Sequence, residues 1–112
     1  MQHNMNLCKA PFEMILSGQK TYELRLYDEK RQKIQIGDTI IFTSLENGKT
    51  FTANVVSINV FESFAELYSS IPMNKCGYST DDIPNPDDML EYYSKEQQNR
   101  YKAVAIEIQK KI

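Results

Sequence analysis

Residues 18–26, GQKTYELRL, decide the fold of this chain. From Tyr22 to Leu26 apolar and polar residues alternate, which is the period of a β-strand that buries one face. Gly18 precedes the strand, and a glycine suits the left-handed backbone that ends many helices. Residues 10–17, APFEMILS, place their apolar side chains on one helical face. The segment therefore predicts a short helix, a capping turn and a half-buried strand.

Apolar alternation outside this segment predicts four more strands. They span residues 3–8, 39–45, 51–61 and 101–109. Asn47-Gly48 separates the second and third of these strands, and this dipeptide suits a tight antiparallel hairpin. Residues 28–33 are expected to form a charged loop.

Two further helices are predicted in the second half of the chain. One spans residues 62–71, and the other runs from an Asn85 cap to about Arg100, with Met89 and Tyr93 buried. The element order is then β-α-β-β-β-α-α-β. This order indicates an α+β fold, with a small, strongly curved mixed or antiparallel sheet, or an open β-barrel, and peripheral helices.

Composition places the chain among globular domains. The 112 residues are 41% hydrophobic and 25% charged, enough for one core, so residues 1–112 are expected to form a single domain. The sequence shows no signal peptide and no apolar run long enough to span a membrane. Cys8 and Cys76 lie far apart and are expected to be reduced thiols, which favours a cytoplasmic location.

The net charge of the chain and the distribution of its basic residues indicate which kinds of partner it can bind. The formal net charge of −2 argues against a strongly electrostatic nucleic-acid binder. Basic residues nevertheless concentrate between Lys20 and Lys33, so a local basic site remains open.

Several segments together resemble the ASCH domain family. They are PFEMI at 11–15, GQKTYELRL at 18–26, DEKR at 28–31, Gly37-Asp38, and, more loosely, His3, Tyr92-Tyr93-Ser94 and the closing strand. The resemblance covers essentially the whole chain and implies a PUA-like β-barrel with a cleft beside the Gly-x-Lys turn. Members of the family are associated with RNA binding, with ribonuclease action and with amidohydrolysis of N4-acetylcytidine.

Lys20, Glu23 and Arg25 are the main candidate site residues. Glu23 and Arg25 share one strand face and Lys20 stands at its entrance, so the three ionisable groups are expected to converge on one cleft. Such a cluster can hold a phosphate or a carboxylate. If the protein is an enzyme, Lys20 and Glu23 are the expected proton-transfer couple. In the acetylcytidine amidohydrolases that the resemblance brings in, a threonine follows the lysine by three residues, whereas Glu23 occupies that position here.

Five further residues are candidate ligand contacts. His3 is included because the resemblance brings it near the cleft, and Tyr92 because an exposed ring can stack on an unpaired base. Lys30, Arg31 and Lys33 either contact phosphates or form a solvated loop with internal ion pairs. With one histidine and no spaced cysteine pair, neither a metal site nor a cofactor is expected.

Two hypotheses follow. The first is binding of RNA or of a nucleotide-like small molecule, and the alternative is a small hydrolase acting on a modified nucleoside of the N4-acetylcytidine type or on RNA. The oligomeric state is left open by the sequence.

Overall fold

The sheet has five strands, as the alternating pattern predicted. In the computed structural model, which describes residues 1–111, they are β1 (Gln2–Leu7), β2 (Tyr22–Leu26), β3 (Thr39–Ser44), β4 (Thr50–Phe61) and β5 (Ala103–Lys110). The α-helices are α1 (Lys9–Leu16), α2 (Glu29–Gln32), α3 (Phe64–Ser70) and α4 (Lys95–Tyr101). Two 3₁₀ helices, Met73–Lys75 and Pro86–Glu91, connect α3 to α4.

The strand order leaves β1 and β2 at the two edges of the sheet. The order is β1-β3-β4-β5-β2, in which β1 pairs parallel with β3 and every other pair is antiparallel. The sheet curls into a half-barrel, so its two edges approach each other. The guanidinium of Arg25 on β2 spans the gap and donates a hydrogen bond from Nη2 to the carbonyl of Asn6 on β1, at 3.2 Å. We call this gap the seam.

Both faces of the sheet are covered. Val104, Ile106 and Ile108 of β5 point to one core, whereas Ala103 and Ala105 point to the other. The first core also contains the buried side chains of α1, and the second contains those of α3 and of β2. Because the second core takes the apolar face of β2, its polar face turns toward the inside of the curl.

Two predictions about the connections were wrong. Residues 28–33 were expected to be a loop, but they contain α2, because Asp28 caps it by accepting a hydrogen bond from the Arg31 amide. The helix expected from Asn85 to Arg100 is broken into a 3₁₀ helix and α4. Ser94 starts α4 with a reciprocal capping box to Gln97, which ends the preceding segment and redirects the chain.

No helix within residues 1–111 is both long and apolar enough to cross a membrane.

Candidate ligand-binding cleft at the seam

The turn between α1 and β2 fixes the position of Lys20. Gly18 follows α1 with φ +86°, the left-handed conformation predicted for it. The backbone amide of Lys20 then donates to the carbonyl of Met14, and that of Thr21 donates to the carbonyl of Lys75. These two hydrogen bonds tie the entrance of β2 to α1 and to the first 3₁₀ helix.

Lys20, Glu23 and Arg25 form one ionic cluster, which we call the seam cluster. The ammonium Nζ of Lys20 lies 3.3 Å from Oε1 of Glu23, and the Nε atom of Arg25 lies 3.8 Å from the same oxygen. The prediction that these side chains converge is therefore matched by their positions. Both cations share a single carboxylate oxygen.

The seam cluster is buried more deeply than a surface ion pair. Lys20 is 8% exposed and Glu23 is 4% exposed. The second carboxylate oxygen of Glu23, Oε2, has no hydrogen-bond partner among residues 1–111. Buried polar atoms are nearly always paired, so this oxygen is available to a further hydrogen-bond donor.

A cleft of about 490 Å³ lies beside the cluster, and all three of its side chains line it. The end of β1 contributes Asn6 to Cys8 to the lining. At the mouth, Tyr92 is 65% exposed and Leu45 is 63% exposed. The cleft thus has a buried ionic floor and, at its opening, the solvent-exposed aromatic ring of Tyr92.

Cys76 and Gly77, which follow the first 3₁₀ helix, form the part of the cleft lining that lies beside Lys20. Gly77 has φ +106°, and a Cβ atom there would stand 3.6 Å from Cδ of Lys20. Cys76 is buried, and this burial raises the pKa of its thiol to about 11 despite the opposing effect of the Lys20 charge. The thiol therefore stays protonated at neutral pH and is a poor nucleophile.

The opposite wall contains residues that sequence reasoning did not place in the site. They are Tyr68 on α3, Tyr78 in the following loop, and Asp88 and Glu91 of the second 3₁₀ helix. These residues come together through contacts between segments that are distant in the chain, so no local sequence pattern predicts their proximity. The one local signal was the richness in tyrosine, since an exposed or half-buried ring beside polar residues is typical of binding surfaces.

His3 does not line the cleft. Its Nε2 lies 2.8 Å from Oδ2 of Asp38, and the same oxygen accepts a hydrogen bond from the backbone amide of Gln35 at 3.0 Å. These two hydrogen bonds, that from His3 foremost, lower the pKa of the Asp38 carboxyl well below its usual range. In this position His3 ties β1 to the Gly37-Asp38 turn.

Lys30, Arg31 and Lys33 also lie outside the cleft lining. Arg31 pairs with the cap of its own helix, its Nη1 donating to Oδ2 of Asp28 at 2.9 Å. Lys30 and Lys33 are exposed. A contact of these residues with phosphate remains a prediction, separate from the cleft.

No group of three or more histidine, cysteine, aspartate or glutamate residues within the described part of the chain is arranged to hold a metal ion.

Comparison with known proteins gives a family match. The model of the ASCH domain matches residues 5–112. Among curated proteins, no sequence match was found.

Solved structures repeat the fold. The crystal structure of hypothetical protein PH0355 is 33% identical, with a TM-score of 0.83, and the match covers 99% of this chain and 100% of that one. The solution structure of PF0455 from Pyrococcus furiosus is 33% identical, with a TM-score of 0.76 and coverage of 98% and 97%. The S128A mutant of ZmASCH from Zymomonas mobilis has a TM-score of 0.68 over 95% of this chain and 66% of that one. At 18% identity the last likeness supports the fold alone.

Proposed function

This chain belongs to the ASCH domain family, and from that premise we propose that it binds a nucleotide-like ligand, free or as an unpaired residue of RNA, in the cleft at the seam. The observation that carries the proposal is the free oxygen Oε2 of Glu23 on a buried carboxylate that lines this cleft.

The floor of the cleft has unused hydrogen-bonding capacity of both kinds. Among residues 1–111, Oε2 of Glu23 has no partner and is free to accept, and Lys20, with three N–H donors, makes one hydrogen bond, to Oε1 of Glu23. The edges of nucleobases present donors and acceptors side by side, which matches such a floor. Since both groups are held by burial, little side-chain entropy is lost when a ligand binds.

The mouth of the cleft suits a flat ring. Tyr92 lines the cleft with most of its side chain in solvent, so it offers a stacking face without prior unpacking. Leu45 adds an aliphatic surface at the same opening. A volume of about 490 Å³ lies within the usual range for small-molecule sites, and it accommodates a base with its sugar.

The cations of the cleft are not free to clamp a phosphate. Lys20 and Arg25 both face the Glu23 carboxylate, and Asp88 and Glu91 line the same cleft. A phosphate on the floor would face three carboxylates, and only two cations would offset them. We therefore expect the base to enter the cleft and the phosphates to stay outside it.

Binding of nucleosides and of short single-stranded RNA tests the proposal. Calorimetry should give measurable affinity at low salt for wild type, and Lys20→Met should weaken it by about tenfold or more, because it removes a charge-assisted hydrogen bond. Lys30→Met is the matched control, since Lys30 is exposed and outside the cleft. Absence of affinity for any nucleoside or RNA would overturn the proposal.

A hydrolase is the second candidate function, and the buried Lys20–Glu23 pair favours it. A carboxylate with one bound and one free oxygen beside an ammonium group can accept a proton from an attacking water and return it to a leaving group. Glu23 occupies the position of the threonine that the acetylcytidine amidohydrolases use, so any turnover here depends on a different arrangement. Chromatography after incubation with N4-acetylcytidine and with labelled RNA decides the matter, since unchanged substrate in both excludes this candidate.

A further inference from the structure

A series of hydrogen bonds connects Tyr68, Tyr78 and Asp88 on the opposite wall of the cleft. The hydroxyls of Tyr68 and Tyr78 are 2.8 Å apart, and the Tyr78 hydroxyl donates to Oδ2 of Asp88 at 2.7 Å. The three residues come from α3, from the loop after the first 3₁₀ helix and from the second 3₁₀ helix. All three line the cleft.

The hydrogen bonds of this series all donate in the same direction, toward Asp88. Asp88 as a carboxylate only accepts, and Tyr78 has a single hydroxyl proton, which it gives to Asp88. Tyr78 therefore accepts from Tyr68, which uses the only proton of the Tyr68 hydroxyl. Burial and these two hydrogen bonds raise the pKa of Tyr78 strongly, so the proton stays in place. Only lone pairs remain on this wall.

The floor adds a second acceptor. Oε2 of Glu23 is buried and unpaired, and Glu23 lines the same cleft. The charged residues of the lining are three carboxylates, Glu23, Asp88 and Glu91, against the two cations Lys20 and Arg25. Both cations already face Glu23. Within residues 1–111, the free groups on this wall and at Oε2 are therefore acceptors, whereas the unused donors of the floor are N–H groups of Lys20.

Resting on the proposed function, we propose that the wall of Tyr68, Tyr78 and Asp88 recognises an N–H donor of the ligand, so that the cleft prefers a base with an exocyclic amino group to its carbonyl counterpart. A carbonyl oxygen placed against this wall would meet lone pairs and would stay without a donor. Two acceptors that face each other make no hydrogen bond and repel, so rejection of the carbonyl adds to the gain from the amino contact.

Two matched pairs of nucleosides test the preference. Adenosine and inosine differ by an exocyclic amino group against a carbonyl, and so do cytidine and uridine; in each carbonyl member the neighbouring ring nitrogen also carries a proton. Calorimetry with wild type should show tighter binding of the amino member, by about tenfold, in at least one pair. Equal affinity within both pairs, or a preference for the carbonyl member, would overturn this inference and leave the proposed function standing. Failure of all four to bind, together with RNA, would overturn both.

Asp88→Asn gives the sharper version of the test. An amide can donate to the Tyr78 oxygen, which turns the series round and frees the Tyr68 proton to point into the cleft. The preference for the amino member should therefore disappear or reverse, while stacking on Tyr92 is retained. Tyr101→Phe is the control, because the Tyr101 hydroxyl bonds to Glu29, which is not part of the cleft lining. Asp88→Leu removes the acceptor and frees one hydroxyl proton whichever way the amide of Asp88→Asn is turned, so the wild-type preference in both variants would contradict the inference.

Discussion

Two buried or half-buried ionic clusters stand at different places on the half-barrel, and they differ in how completely their carboxylates are paired. In the first, which we call the turn cluster, Asp38 accepts from His3, from the Gln35 amide and from the amino group of Met1, so both of its oxygens are used. In the seam cluster, two cations share Oε1 of Glu23 and Oε2 has no partner in residues 1–111.

We propose that this difference separates a structural role, that of the turn cluster, from a binding role, that of the seam cluster. A carboxylate with every oxygen paired stabilises the turn that holds it, and the lowered pKa of Asp38 reports that stabilisation. A buried ion pair with a free oxygen gains less from its partners than it loses by leaving water. The seam cluster also borders a cleft, whereas neither His3 nor Asp38 does. Four predictions test this difference between the turn cluster and the seam cluster.

The largest effect is expected from Lys20→Met combined with Glu23→Gln. Removing both charges deletes the polar floor, so affinity for nucleosides or RNA should fall by roughly 100-fold, the equivalent of about 3 kcal/mol. The free energy of unfolding should stay within about 1 kcal/mol of the wild-type value, because the cost of burying the Lys20 and Glu23 charges is removed together with their attraction. Calorimetry and urea denaturation measure the two quantities.

The single variant Glu23→Gln is the control for that experiment. It leaves the Lys20 ammonium buried without a charged partner, which should cost about 3 kcal/mol of stability. A double variant less stable than this single variant would show that the seam cluster holds the fold together, and the contrast with the turn cluster would be lost.

Tyr92→Ala should give the next largest effect, on binding alone. A stacked base is worth about 1–3 kcal/mol, so affinity should drop about tenfold. Because most of the Tyr92 side chain is in solvent, the free energy of unfolding should change by less than about 0.5 kcal/mol. Unchanged affinity with nucleosides would place the ligand away from the mouth of the cleft.

Asp38→Asn should lower the stability of the fold and leave nucleoside binding unchanged, which is the reverse of the result expected for the seam variants. The amide can accept from only one side and cannot hold the Gln35 amide and His3 together as the carboxylate does. The melting temperature should fall by several degrees while nucleoside affinity stays within about twofold, in contrast to the seam variants. A loss of affinity equal to that of the double variant would mean that the turn cluster supports the site directly.

The smallest effect is expected from acid. The pKa of Asp38 is lowered in the folded protein, so its contribution to stability is present above the unfolded value of about 3.9 and is lost as the pH falls below it. Urea titrations of wild type and Asp38→Asn should therefore diverge above about pH 4 and converge toward lower pH. Parallel curves over the whole range would contradict the assigned pairing.

Periodicity in the sequence predicted the strands because apolar side chains at alternate positions of a strand pack into the same core. Tyr22, Leu24 and Leu26 lie in one core as expected. The fate of the other face of β2 was not predictable, because Glu23 is buried only through the curl of the sheet and the parallel pairing of β1 with β3. Both depend on contacts between residues far apart in the chain.

Local chemistry explains the misses in the connections. Ser94 and Gln97 form a capping box that was readable in the sequence, yet the preceding acidic run suggested one continuous helix. The break ends the 3₁₀ helix at Glu91, and Tyr92, a predicted ligand contact, follows it in the cleft lining. The shared face of Glu23 and Arg25, by contrast, follows from the two-residue period of a strand, and Lys20 was expected beside them because it stands at the entrance of that strand.

The most direct test of the central claim is a nuclear magnetic resonance titration of the wild-type protein with adenosine and cytidine. If the cleft at the seam binds nucleosides, amide and side-chain signals of Lys20, Glu23 and Tyr92 shift with saturation, while those of His3 and Asp38 stay in place. Shifts centred on His3 and Asp38, or no shift at millimolar nucleoside, would contradict the claim.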